Sequence, residues 1–202
     1  MEIKDLTLYG RMIYGISCFI KLWDIYCSKE KCNEIKFILN KLCTFTSTDN
    51  LSEWENDTLP FTPACIFEAV NESGKFICSP EICSKRRFKH EICEFAKDCN
   101  HVKNKKRNNE EQKMFLFYQN IDDDYLNILD ILFNVGASEL YGTPRDMKET
   151  EMFLSNIIDI LKKHDVDAPD INGFKEYTLN NPKKTMDYFG VKIDSTKLLD
   201  LI

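Results

Sequence analysis

Apolar residues recur at three- and four-residue steps from the start of the chain, at Tyr9, Met12, Ile13, Ile16, Phe19, Ile20, Trp23 and Tyr26. That spacing lines one face of a helix about five turns long. Thr7 or Asp5 can cap its first turn. Gly10 and Gly15 lie inside it, each costing on the order of 1 kcal/mol relative to Ala, so close packing is expected at both. Cys32, Ile35, Ile38, Leu39 and Leu42 repeat the spacing in a second, shorter helix. The two are placed to pair as an antiparallel hairpin around a loop near 28–31.

From 44 to 63 the pattern breaks into loop, with a short turn of helix over 51–54 after the capping Asn50 or Asp49. Thr62-Pro63 starts a further short helix, through Ala69, that would bury Cys65, Ile66 and Phe67. Asn71 to Gly74 reads as a turn. Ser79-Pro80 opens another helix, with Phe88, Ile92, Phe95, Ala96, Cys99 and Val102 at helical spacing. Met114, Phe115, Phe117 and Tyr118 mark the next. Asp122, Asp123 and Asp124 fit the first turn of a helix whose buried face is Tyr125, Ile128, Leu129 and Leu132, with Gly136 as its C-terminal stop. Thr143-Pro144 starts the last long helix, with a core face of Phe153, Ile157, Ile160 and Leu161, and Ala168-Pro169-Asp170 ends it. A mixed tail with Phe174, Tyr177, Tyr188 and Phe189 leads to a terminal helix over 195–202. No convincing alternation of apolar and polar residues appears. The fold expected is all-α, a multi-helix bundle or curved helical stack with little or no sheet. It spans 1–202 as a single domain, with a possible internal boundary at the polar stretch 103–109.

Composition supports this. Seven glycines and six prolines among 202 residues favour helix over sheet. The longest uncharged runs, such as 12–20, fall far short of a bilayer crossing, and the N-terminus has neither the basic start nor the cleavage site of a signal peptide. A cytoplasmic protein is expected. An odd number of cysteines, nine, is poor material for a disulfide framework; reduced thiols used as small apolar side chains are the plainer reading. Charge adds an asymmetry. The net charge is −6, yet 84–107 carries nine Lys and Arg against three carboxylates, about +6, leaving about −12 elsewhere. An acidic body suits a basic protein partner and does not attract nucleic acid.

The richest chemistry lies in that basic stretch, where Cys78, Cys83, His90, Cys93, Cys99 and His101 follow one another. Thiolates and imidazoles are the ligands of structural zinc, but zinc modules present two short ligand pairs on tight turns. Here the middle of the array lies on an amphipathic helix, with Cys99 on its apolar face. Cys83, His90 and Cys93 remain as an incomplete ligand set. The alternative function they support is a metal-stabilised regulatory or nucleic-acid-binding module centred on 78–107. Asp122 to Asp124 could suggest metal-dependent phosphoryl chemistry, yet helix-start carboxylates explain them at lower cost, and no phosphate-binding glycine loop accompanies them. None of the three histidines has a nucleophile and orienting group at a recognisable spacing; His164 fits the negative end of a helix dipole. No enzymatic activity and no cofactor are expected.

Several segments carry a resemblance. Leu8-Tyr9-Gly10-Arg11-Met12-Ile13-Tyr14-Gly15, Leu39-Asn40-Lys41-Leu42-Cys43-Thr44-Phe45-Thr46-Ser47 leading to Trp54, Val135-Gly136-Ala137-Ser138-Glu139-Leu140-Tyr141-Gly142, and Ala168-Pro169-Asp170-Ile171-Asn172-Gly173-Phe174 form this set. Together they resemble a group of helical bacterial proteins similar to the immunity proteins of contact-dependent and polymorphic toxin systems. The basic Cys/His segment departs from that pattern. The resemblance implies a protein that neutralises a cognate toxin by binding it, as the monomer of a heterodimer, with no membrane partner. Many such toxins are basic nucleases, for which an acidic face is complementary. Glu53, Glu55, Asp57, Asp122, Asp123 and Asp124 are then the candidate contacts, on charge alone. Trp23 and Trp54 belong to the core.

Overall fold

A computed structural model describes residues 1–26, 33–67, 108–141, 147–181 and 188–193, with 139–141 as backbone only. The protein is all-α: 76% of the described residues are helical and none is in a strand. The one strand-like feature among them is an isolated antiparallel bridge between Leu6 and Thr178. Among the described residues the helices are α1 (Leu8–Tyr26), α2 (Asn33–Cys43), α3 (Leu51–Thr58), α4 (Pro63–Phe67), α5 (Asn109–Tyr118), α6 (Asp123–Tyr141) and α7 (Lys148–Lys163), with short 3-10 turns between α2 and α3 and between α3 and α4.

Helix α1 is the centre of the described helices. Its apolar stripe predicts one buried face, but every residue from Leu8 to Ile16 is buried, Arg11 among them. A helix buried all round must be surrounded, and α1 packs chiefly against α6 and α7. The hairpin with α2 is correspondingly slight, because α2 packs mainly on α3 and on the turn Thr44–Thr46. Gly10 and Gly15 permit the close approach: a Cβ at Gly10 would lie 2.6 Å from the Tyr177 carbonyl oxygen, and one at Gly15 2.6 Å from Leu132. Thr7 caps the helix, its hydroxyl accepting from the Gly10 amide at 3.1 Å.

Three boundaries differ from the sequence expectation, the first being the end of α3, which runs to Thr58 rather than stopping at Trp54. Gly136 does not stop α6, which continues to Tyr141; it sits beneath the Trp54 indole, where a Cβ would collide with the ring. Helix α7 ends at Lys163, before Ala168. Asp165 there adopts a left-handed backbone (φ 57°), while Val166 N–H donates to the Leu161 carbonyl and Asp165 N–H to that of Lys162, a Schellman closure with Asp in the usual glycine position. The core face of α7 is Thr150, Leu154, Ile157 and Leu161, with Phe153 and Ile160 half-buried. In α4 only Pro63 and Ile66 are buried; Cys65 and Phe67 are half-buried. The expected features at 28–31, 71–102, 143–144 and 195–202, and most of the boundary at 103–109, lie outside the described residues.

The aromatic core joins the helices. Trp54 stacks on Phe133 at 5.4 Å and contacts Phe45 at 4.9 Å, and its indole N–H donates to the Lys41 carbonyl. Trp23 packs on Phe19, Phe117 and Tyr125. Cys18 and Cys43 are free thiols in full burial. Burial pushes both up to about 12, so they act as small apolar side chains.

Candidate functional site

The six candidate carboxylates fall on two elements. Glu53, Glu55 and Asp57 belong to α3, a two-turn helix begun by Asn50, whose side chain accepts from Glu53 N–H at 3.2 Å. Its inner face is Trp54 and Thr58, both buried. That fixes the outer face: Glu53 and Asp57, one turn apart, are exposed, as are Ser52 and Asn56, while Glu55 is half-buried. Asp49, just before the cap, is ion-paired with Lys192. The α3 group is therefore an acidic ridge held rigid from below.

The second group begins α6, and its three members do different work. Asp122 is the cap, its carboxylate accepting from Asp124 N–H at 2.9 Å. Asp123 opens the helix and is exposed. Asp124 turns inward, 14% exposed, and its Oδ2 accepts from Lys163 Nζ at 2.5 Å and from His164 Nε2 at 2.8 Å. Burial by itself would raise its pKa, but the hydrogen bonds and charges of Lys163 and His164 outweigh this and hold the carboxyl below its ordinary value. Trp54 meets α6 at Phe133 and Gly136, nine or more residues beyond Asp124. At 1.5 Å per residue the two carboxylate groups are roughly 14 Å or more apart along α6. They do not form one cluster.

Asp122, Asp124 and His164 bring three possible metal-ligand atoms within 4.8 Å of one another. A positive charge is already in place there: the Lys163 ammonium is bound to Asp124 Oδ2, the oxygen that also meets His164. The arrangement ties the start of α6 to the end of α7 and fits an internal ion pair. The candidate ligands Cys83, His90 and Cys93 lie outside the described residues.

Two polar centres lie beyond the sequence pattern. Local spacing sets His164 against its helix dipole alone, whereas its partner is Asp124, forty positions away. Arg11 is the other. It is 1% exposed and donates to the carbonyls of Leu6, Lys4 and Met147, to Thr150 Oγ1 at 2.6 Å, and to Glu151 Oε1 at 3.2 Å. A lone cation beside the apolar run 12–20 was the available signal. The open depression beside it, about 380 Å³ and lined by Glu2, Ile3, Lys4, Glu151, Met152 and Ser155, gathers no catalytic constellation.

Comparison with family models, curated proteins and solved structures gives no match. Among the described residues no helix is long and apolar enough to cross a membrane.

Proposed function

We propose that the protein is an immunity-type binding protein, which neutralises a basic toxin domain by holding it in a tight one-to-one complex. The observation that carries this reading is the outer face of α3. Glu53 and Asp57 are presented one turn apart on a helix whose opposite side is locked by Trp54. Carboxylates on a fixed element lose little further freedom on binding. Opposite charge on the partner raises the rate of encounter, and that acceleration fades with salt.

The overall charge of −6 points the same way. Asp122 and Asp123 offer a second, separate point of attraction at the start of α6, while Asp124 is engaged within the fold. Glu53, Glu55 and Asp57 are therefore the primary contacts in this reading.

Co-purification with the product of the neighbouring gene tests it. The expected result is a one-to-one complex whose association slows as salt rises. E53Q and D57N together should slow association several-fold with little effect on dissociation, the usual pattern for charges outside a dry interface. A neighbour without a toxin domain and no co-purifying protein would overturn the proposal. So would association indifferent to salt and to both substitutions.

A further inference from the structure

The first turn of α1 is completed from the far end of the chain. A helix leaves its leading N–H groups without intrahelical partners. Here Leu8 N–H donates to the Tyr188 carbonyl at 2.8 Å and Tyr9 N–H to that of Phe189 at 3.0 Å. Gly10 N–H is taken by the Thr7 hydroxyl, which in turn donates to the Tyr177 carbonyl at 2.9 Å, as does the Thr7 amide. Leu179 N–H reaches back to the Asp5 carbonyl, and Ile193 N–H to that of Thr46. Phe189 lies against Tyr9 at 5.7 Å, and Phe174 against Tyr14 at 5.2 Å.

These contacts are rich in backbone hydrogen bonds, while the apolar side chains that pack on the core here, Tyr177, Tyr188, Phe189 and Ile193, are only half-buried. The 3-10 stretch Ile171–Tyr177 contains no buried residue, and of 188–193 only Gly190 is buried. The helical body it touches is different: Met12, Phe19, Leu22, Ile128 and Leu132 are wholly inaccessible. Opening free energy follows buried apolar contact, so a segment of this kind opens well below the global unfolding free energy. Its loss would leave the exposed first turn of α1 to be satisfied by water.

We propose that residues 177–181 and 188–193 form a clasp on the start of α1, which opens as one unit while the helical body stays folded. It makes the capping of the central helix conditional on residues about 170 positions away. Gly190 is seated directly against Thr7. The residue has φ +99°, and a Cβ there would lie 2.8 Å from Thr7 Cβ, so any side chain pushes the clasp off.

Native-state hydrogen exchange on the full chain is the test. The amides of Thr7, Leu8, Tyr9, Leu179 and Ile193 should share one opening, exchanging about tenfold or more faster than those of Phe19 and Leu132. G190A should accelerate the first group by about tenfold again and leave the second unchanged. F189A, which removes the ring contact with Tyr9 but introduces no clash, should act in the same direction. Exchange of both groups in a single global step would overturn the proposal. So would a G190A chain that is unfolded, accelerated equally throughout, or unchanged at every amide.

Discussion

Arg11 and Thr150 meet in the interior 139 positions apart, with the guanidinium Nη1 2.6 Å from the threonine hydroxyl. The contact explains how a cation is held inside an apolar helix. Arg11 donates to the Lys4 and Leu6 carbonyls in the turn before α1 and to the Met147 carbonyl at the start of α7, so one side chain ties these two pieces of backbone together. Glu151, 39% exposed, is a lesser partner. Arg11→Met should destabilise the fold by about 3 kcal/mol, since it removes every bond that this buried guanidinium makes across the α1–α7 network. Glu151→Gln should cost less than about 1 kcal/mol because its pair is solvent-screened. Urea midpoints of the two variants distinguish a buried polar hub from a simple ion pair.

Asp124 predicts a specific acid sensitivity. Its carboxyl is held below the ordinary 3.8 in the folded protein. A depressed folded pKa contributes stability that is present above the unfolded value and lost as pH falls through the folded one. The loss due to this residue therefore begins at about pH 4 and continues below it. Asp124→Asn should be less stable than wild type at neutral pH and should lose less stability on acidification. Urea unfolding at a series of pH values checks this: curves that stay parallel down to about pH 2.5 would show that the pairing with Lys163 and His164 contributes nothing.

Trp54 and Gly136 form a matched pair, ring against bare backbone, on the α3–α6 contact. Gly136→Ala gains helix propensity on the order of 1 kcal/mol, but the added methyl enters space held by the indole. The clash should win, giving net destabilisation of about 1–3 kcal/mol. In a Trp54→Leu background, itself destabilised by loss of ring packing, the same change should become neutral or stabilising. Measured as a double-mutant cycle, this gives a coupling of about 1 kcal/mol or more. Additive effects would mean that the two residues do not share the space.

Where the fold is legible in the sequence, the reason is local. Apolar positions at helical spacing locate α1, α2, α5 and α6, and Thr7 and Asn50 mark the starts of α1 and α3 because caps act within three residues. Gly136 misleads because a glycine late in a helical pattern reads the same whether it ends the helix or admits a neighbouring ring. That choice is made by Trp54, more than eighty positions earlier. Ala168-Pro169 is likewise a sound breaker, yet the helix had already closed at Asp165, a residue tolerated in the left-handed region without being its usual occupant. The acidic ridge on α3 was legible as charge, whereas its division from Asp122, Asp123 and Asp124 depends on the α3–α6 packing. Nothing in local spacing announces that Asp124 faces Lys163 and His164.

The closure of α7 supports a stabilising substitution. Asp165 carries a side chain at φ 57°, a conformation that costs an L-residue about 1–2 kcal/mol, less for Asp, and glycine almost nothing. Its backbone bond to Lys162 and the Val166 bond to Leu161 involve no side-chain atom of Asp165, so both survive truncation. Asp165→Gly should therefore raise stability by up to about 1 kcal/mol, offset in part by the greater freedom of glycine in the unfolded chain. It also removes a negative charge close to the C-terminal end of the helix dipole, which acts in the same favourable direction. Asp165→Ala separates these contributions: it removes the charge but keeps the strained Cβ, and it should fall below the glycine variant in thermal unfolding. An alanine variant as stable as the glycine one would show that the charge, and not the left-handed backbone, limits stability at this helix end.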